Sequence, residues 1–266
     1  MTTGRTAADR RPVLRLLHHL ARTGGTTISK CLAVMPGVAL LSEIHPLGLE
    51  KISALHQAMG WFGLVDPQEI EQLGARPDFA ASIRLIAERA SARGLRLVIR
   101  DWSHLDFAGA PLVETPSLRL TTAETLSADF QLRQIATVRH PIDHWQSLRR
   151  VPLMRGKIDL DRFLKGYRRF ADLAVPMGFV RFEDFCRQPE ESLQHLCQAL
   201  DLLYDPGWRL RWAGYDRITG DETAQRGSSE IKLPRRRPLE PGLADAFLKH
   251  PDYQPALTLL GYRHPI

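Results

Sequence analysis

The sequence predicts an α/β fold in which a mainly parallel central sheet is flanked by helices on both faces. Three observations lead there. Short apolar runs of strand length alternate with segments of helical periodicity, the pattern that builds parallel strands joined by crossover helices. The first run ends in two glycines and opens directly into a helical pattern. The chain has 266 residues, 44% apolar and 25% charged, an ordinary globular composition with enough apolar side chains for a substantial core.

In chain order, Val13–Leu20 is the first expected strand. Ile28, Cys31, Leu32 and Met35 recur at i, i+3, i+4 and i+7, so a helix is predicted over 26–35. Val38–Ser42 reads as the second strand, followed by helical patterns over 48–60, 67–73 and 78–93. Leu95–Ile99 is the third strand and Gln134–Val138 the fourth, with helices over 142–150 and 159–174 behind them. Gly178–Phe182 is the fifth strand. Pro189–Leu203 carries the clearest helical pattern: Pro189, Glu190 and Glu191 make a starting turn, and Leu193, Leu196, Cys197, Leu200 and Leu203 share a face. Residues 205–241 are rich in Gly, Pro, Arg and Ser and show little periodicity, which suggests a long surface loop that orders over a ligand, or a flexible segment. A short helix over Pro241–His250 closes the pattern. The expected organisation is a flexible N-terminal segment over 1–12 and one domain over 13–266.

Composition narrows the function classes. No apolar run approaches the roughly 18–20 residues of a membrane span, and the polar start lacks a signal-peptide pattern, so a cytoplasmic protein without membrane insertion is expected. Cys31, Cys186 and Cys197 are odd in number and widely spaced, which favours free thiols over disulfides. The formal charge is +6, with a basic run over 149–169 and a second over 226–237. There is no aromatic-interleaved basic motif, so a small polyanion or acidic substrate accounts for the charge without nucleic acid. Several histidines sit near strand ends, but none has metal-ligand spacing, and no metal is expected.

The chemistry concentrates where the strands end, because ligands of open parallel sheets sit beyond the carboxyl ends of the strands. The first strand delivers Arg22-Thr23-Gly24-Gly25-Thr26-Thr27. Two glycines permit a tight turn, and the helix behind them adds unsatisfied N–H groups and the positive end of its dipole. That combination makes an anion cradle, to which Arg22 adds charge and the threonines add hydroxyls. The Gly-Lys-Ser/Thr ending of a nucleoside-triphosphate loop is absent. The second strand delivers Glu43, the third Arg100, Asp101 and His104, the fourth Arg139 and His140, and the fifth Arg181, Glu183 and Asp184. Arginines at four strand ends suggest one site that neutralises several anionic oxygens.

With these residues in place, the chain resembles the sulfotransferase superfamily, whose members transfer the sulfuryl group of 3′-phosphoadenosine 5′-phosphosulfate (PAPS) on a P-loop-like fold. Ala21-Arg22-Thr23-Gly24-Gly25-Thr26-Thr27 is similar to the loop that holds the 5′-phosphosulfate, with Ala21 in place of the usual proline. Arg139, with Ser147 eight positions on, matches the pair that holds the 3′-phosphate. Arg226-Gly227-Ser228-Ser229 resembles the late loop over that phosphate, and Val180-Arg181-Phe182-Glu183-Asp184 resembles a further strand end. The resemblance implies cofactor contacts at Arg22, Thr23, Gly24, Gly25, Thr26, Thr27, Arg139, Ser147, Arg226 and Gly227. It implies catalytic roles for Arg22, Glu43 and His104. Arg22 would lie where charge grows on the leaving oxygen, in an electrostatic role. Glu43 or His104 would be the base, with Asp101 a third option.

The implied acceptor is a hydroxyl of a small molecule or carbohydrate, met by residues 48–93 and 103–130. Two alternatives stay open on the sequence: a nucleotide or small-molecule kinase on a degenerate phosphate loop, and a non-catalytic nucleotide-binding protein. Oligomeric state is not legible in the residues.

Overall fold

The protein is described by a computed structural model covering residues 10–220 and 230–265. Five strands form one parallel sheet: β1 (Val13–His19), β2 (Val38–Ile44), β3 (Arg96–Asp101), β4 (Gln131–Val138) and β5 (Phe179–Arg181), in spatial order β2-β3-β1-β4-β5. The helices are α1 (Gly25–Ala33), α2 (Ala54–Phe62), α3 (Pro67–Gln72), α4 (Phe79–Ala92), α5 (His104–Phe107), α6 (Thr121–Leu126) and α7 (Pro141–Leu148). They continue with α8 (Leu160–Met177), α9 (Phe182–Arg187), α10 (Pro189–Ala199), α11 (Trp208–Arg211), α12 (Leu243–Lys249) and α13 (Tyr253–Leu260).

Alternation along each strand feeds two cores. Leu17 of β1, Leu40 of β2, Val98 of β3 and Ile135 of β4 face one side, where they meet Ile28 and Leu32 of α1, Leu193 and Leu196 of α10, and Trp208 of α11. Leu14 and Leu16 of β1, Leu41, Ile99 and Ala136 face the other, against Leu55, Ile83, Phe107, Phe163, Phe170 and Leu257 from α2, α4, α5, α8 and α13. Both faces of the sheet are therefore covered, as a parallel sheet requires.

All five expected strands are present, within a few residues of the predicted ends. Helix boundaries moved more. The pattern over 48–60 resolves into a 3-10 turn at Pro46–Gly48 and α2, whose start is set by Ser53 Oγ accepting from the His56 N–H at 3.2 Å. The predicted Pro189–Leu203 helix stops at Ala199 because Asp201 is left-handed (φ 51°) and the Leu202 N–H turns back to the Cys197 carbonyl at 2.8 Å. Short α5, α6, α9 and α11, together with α13, were not anticipated. No regular element is seen between Arg211 and Leu243 among the described residues, and Arg226 and Gly227 lie outside them.

The register matters for function. Leu17 pairs with Arg100 and His18 with Asp101, while His19 pairs with Thr137. The carboxyl ends of β1, β3 and β4 therefore finish at nearly one level, and Arg22, Arg100 and Arg139 rise from the same rim. On the outer edge, Ser42 pairs with Arg100 and Ile44 with Asp101. Glu43 is squeezed out between them as a bulge at φ 57°, the device that re-aims a side chain at a sheet rim.

Candidate active site

The cradle forms where β1 runs into α1. Gly24 caps the helix at φ 87°, and no side chain caps the first turn, so its N–H groups face the concavity. Neither glycine of the loop can carry a side chain. A Cβ on Gly24 would lie 2.0 Å from the Phe182 ring, and one on Gly25 would lie 2.3 Å from the His19 ring. Arg22 is itself left-handed at φ 73°, an uncommon conformation for a residue with a side chain. Three bonds hold it there. His144 Nε2 donates to the Ala21 carbonyl at 2.7 Å, Arg139 Nη1 donates to the Arg22 carbonyl at 3.2 Å, and the Thr23 N–H returns to Leu20 at 3.3 Å.

Arg22 Nε donates to Ser147 Oγ at 3.2 Å. Ser147 lies in the last turn of α7 and is nearly buried. Arg139 precedes that helix and sits over the Phe182 ring at 5.3 Å, with its Nε buried and unpartnered. Burial is the main influence on the Arg139 guanidinium and lowers its pKa, with Asp143 and Glu183 acting in the opposite direction. Arg22, Arg139 and Ser147 thus form one cationic corner, with an unused buried donor.

The second corner lies toward β3 and β2. Arg100 donates from Nη2 to Thr26 Oγ1 at 3.2 Å and to Glu43 Oε1 at 3.4 Å. Its Nη1 donates to Ser42 Oγ at 3.0 Å and to the Thr219 carbonyl at 2.9 Å, and its Nε donates to His19 Nε2 at 3.1 Å. Glu43 is 12% exposed, and among the described residues its hydrogen bond is the one that Oε1 accepts from Arg100. The Thr219 hydroxyl and N–H both bond to Ser42, so the chain at Thr219 is pinned across this corner, and the Gly220 backbone lies beside Thr26 and Glu43. Thr27 shares the first turn of α1.

Other expected residues have their polar groups engaged or buried away from the cradle. Thr23 is fully buried and spends its hydroxyl on the Leu20 carbonyl at 2.7 Å, so it shapes the loop and offers no hydroxyl to a ligand. Asp101 turns to the opposite face from Arg100, where His18 (2.7 Å), Ser103 (2.6 Å) and Thr122 (2.6 Å) take both of its oxygens. Burial pushes its pKa up, but the His18 and Ser103 bonds and the nearby His18 and His45 rings together outweigh that and hold it down to about 2. His104 is fully buried in α5, and neither ring nitrogen makes a hydrogen bond of normal geometry. Burial pushes its pKa down to about 4, with the Ala110 backbone opposing.

Arg181 departs from the expected convergence of four strand-end arginines. It turns away to Asp184 (2.6 Å) and the Gly261 carbonyl (2.9 Å), because α13 ends beside it. Glu183 holds the His140 N–H and the Tyr262 hydroxyl. The three cysteines are free, and burial pushes their thiols up, Cys186 to about 12 and Cys197 to about 11. No group of three or more metal-ligating side chains occurs among the described residues.

Sequence reasoning counted Arg100 among the strand-end arginines of one anion site without naming it a cofactor contact or catalytic residue, and it missed His19, His144 and Phe182 as shapers of the loop. Only Arg100 carried a signal, a charge that ends the strand beside the cradle.

No protein-family model matches the chain, and no curated protein matches it in sequence. Among solved structures it is similar to the sulfotransferase domain of the Synechococcus PCC 7002 olefin synthase, at 19% identity and a TM-score of 0.66, over 99% of this chain and 100% of that one. It is also similar to the sulfotransferase domain of the curacin biosynthetic pathway, at 18% identity and a TM-score of 0.64, over 97% of this chain and 100% of that one. The chain has the sulfotransferase fold. No helix among the described residues is long and apolar enough to cross a membrane.

Proposed function

We propose that the chain is a sulfotransferase that takes PAPS as donor and a hydroxyl of a small molecule or carbohydrate as acceptor. The observation that carries this reading is the corner where Arg22 reaches Ser147 and Arg139 holds the Arg22 backbone. Together with the Arg100 corner beside Thr26, it gives the cradle two cationic ends, as a nucleotide phosphorylated at both ends requires. The residues also fit such a group chemically: the first turn of α1 is uncapped, and Arg139 keeps a buried, unused donor.

When bound, PAPS supplies an activated sulfuryl group whose leaving group is a nucleotide phosphate. The first-turn N–H groups, Thr26 and Thr27 hold the 5′ end, and Arg139 and Ser147 hold the 3′-phosphate. Arg226 and Gly227 are assigned to the same phosphate by resemblance alone. Arg22 stabilises negative charge as it develops and, as a guanidinium, gives up no proton. Glu43 Oε2 accepts the proton of the acceptor hydroxyl; its aim into the rim follows from the bulge. His104, closed off from solvent, is assigned to packing near the reaction centre, and no metal is assigned.

Calorimetric titration with adenosine 3′,5′-bisphosphate, in parallel with ATP–magnesium, tests the reading. Tight binding of the bisphosphate alone is expected, with Arg139→Ala weakening it about tenfold to a hundredfold. Failure of the wild-type chain to bind the bisphosphate sinks it.

A further inference from the structure

We propose that Arg100 is a built-in cation that takes the place a divalent metal occupies in nucleoside-triphosphate loops, and that it positions Thr26 and Glu43 toward the donor. The proposal rests on the reading above that the cradle holds a phosphosulfate.

Strand–loop–helix phosphate sites that use magnesium hold it between a hydroxyl near the start of the helix and a strand-end carboxylate. This site has both parts. Thr26 supplies the hydroxyl from the first turn of α1, and Glu43 supplies the carboxylate from the end of β2. Between them, at 3.2 and 3.4 Å, lies Nη2 of Arg100. Asp101, the neighbouring carboxylate that could have ligated a metal, points to the other side of the sheet and is fully engaged there.

The guanidinium is also unusually well anchored. It has five N–H donors, and five contacts use them: His19, Ser42, Thr219, Thr26 and Glu43. The side chain is 3% exposed, so its charge is poorly screened. With every donor spent, Arg100 makes no direct hydrogen bond to a ligand. It acts through its field and through two neighbours, which makes it a positioning residue. Because Thr26 Oγ1 accepts from the guanidinium, its own proton is directed elsewhere, toward an anion in the cradle. Because Glu43 Oε1 is held, Oε2 is the oxygen turned to the acceptor. The Thr219 carbonyl ties its own stretch of backbone to the same anchor.

The experiment is calorimetry of adenosine 3′,5′-bisphosphate with the full chain, as wild type, Arg100→Ala and Arg100→Lys, each with and without about 20 mM guanidinium chloride. Arg100→Ala is expected to bind about tenfold or more weakly, and guanidinium to restore affinity to within about threefold of wild type. A purely packing role would not respond to added guanidinium. Arg100→Lys keeps the charge without the five-donor fork and is expected to fall about three- to tenfold below wild type. The assignment is overturned if folded Arg100→Ala binds as wild type does, or if its lost affinity is not recovered by guanidinium. Where Arg100→Ala does not unfold cooperatively, Arg100→Lys decides, and wild-type affinity in that variant overturns the assignment. Unchanged variants of a binding-competent wild type sink Arg100 alone, whereas a wild type that does not bind sinks the parent reading as well.

Discussion

Arg22 shows how much local structure one functional side chain demands. Its left-handed backbone is uncommon for a residue with a side chain, yet its carbonyl and that of Ala21 are each claimed by a side chain from around α7. Gly25 is fixed by the same logic, because the His19 ring fills the space where its Cβ would stand. Gly25→Ala must displace either that ring, which accepts from Arg100, or the first turn of α1. Bisphosphate affinity in this variant is expected to fall about tenfold or more, with a stability loss of about 1–3 kcal/mol by overpacking. Calorimetry and urea unfolding read the two effects, and wild-type values in both would contradict the packing argument. The loop itself was legible in the sequence, since glycines and threonines between an apolar strand and an amphipathic helix have few other uses. The supports were not. His19, His144 and Phe182 reach the loop from positions that look like ordinary strand, helix and strand-end residues, and only the fold brings them together.

At the scale of elements, strand existence was written plainly because each strand is a compact apolar run, whereas short helices have too few turns to show a period. α5 is four residues long, yet it carries His104 and packs directly on α8. The two backbones meet at Gly166, where a Cβ would lie 2.0 Å from the Phe107 carbonyl oxygen. An alanine in the middle of a helix normally gains about 1 kcal/mol over glycine. Here the clash is with backbone, which cannot rotate away, so Gly166→Ala is expected to destabilise by about 1–3 kcal/mol. Urea unfolding with an unchanged slope would measure it, and a gain in stability would show that α5 is free to move. α13 was missed for a different reason. Its buried face of Tyr253, Ala256, Leu257 and Leu260 has helical spacing, but Pro251 and Pro255 break up the sequence signal just behind the helix expected over 241–250.

For the molecule as a whole, burial of imidazoles sets the response to acid. His104 and His140 are pushed down to about 4, His144 to about 3, and His19 well below its ordinary value, in each case chiefly by burial. The unfolded chain takes up these protons near pH 6.5, and the folded chain holds them off until the lower values are reached. Stability from these groups is therefore complete above about pH 6.5 and is lost as pH falls toward about 4, by up to about 1.4 kcal/mol per pH unit for each histidine. The urea midpoint should drop by a sum of several such contributions between about pH 7 and about pH 5, and equal midpoints would refute the assignment of buried neutral rings. Beneath the cradle lies a second set of buried contacts with a mechanical meaning. His18 of β1 is tied to Asp101 of β3 on one side and to Gln134 of β4 on the other, at 2.7 and 3.0 Å. Because main-chain ladders already join these strands edge to edge, the side-chain tie works as a crossbeam under the rim and resists shear between its three central planks. Arg22, Arg100 and Arg139 stand on those planks like instruments bolted to one bench, so their spacing stays fixed when a highly charged guest arrives or leaves.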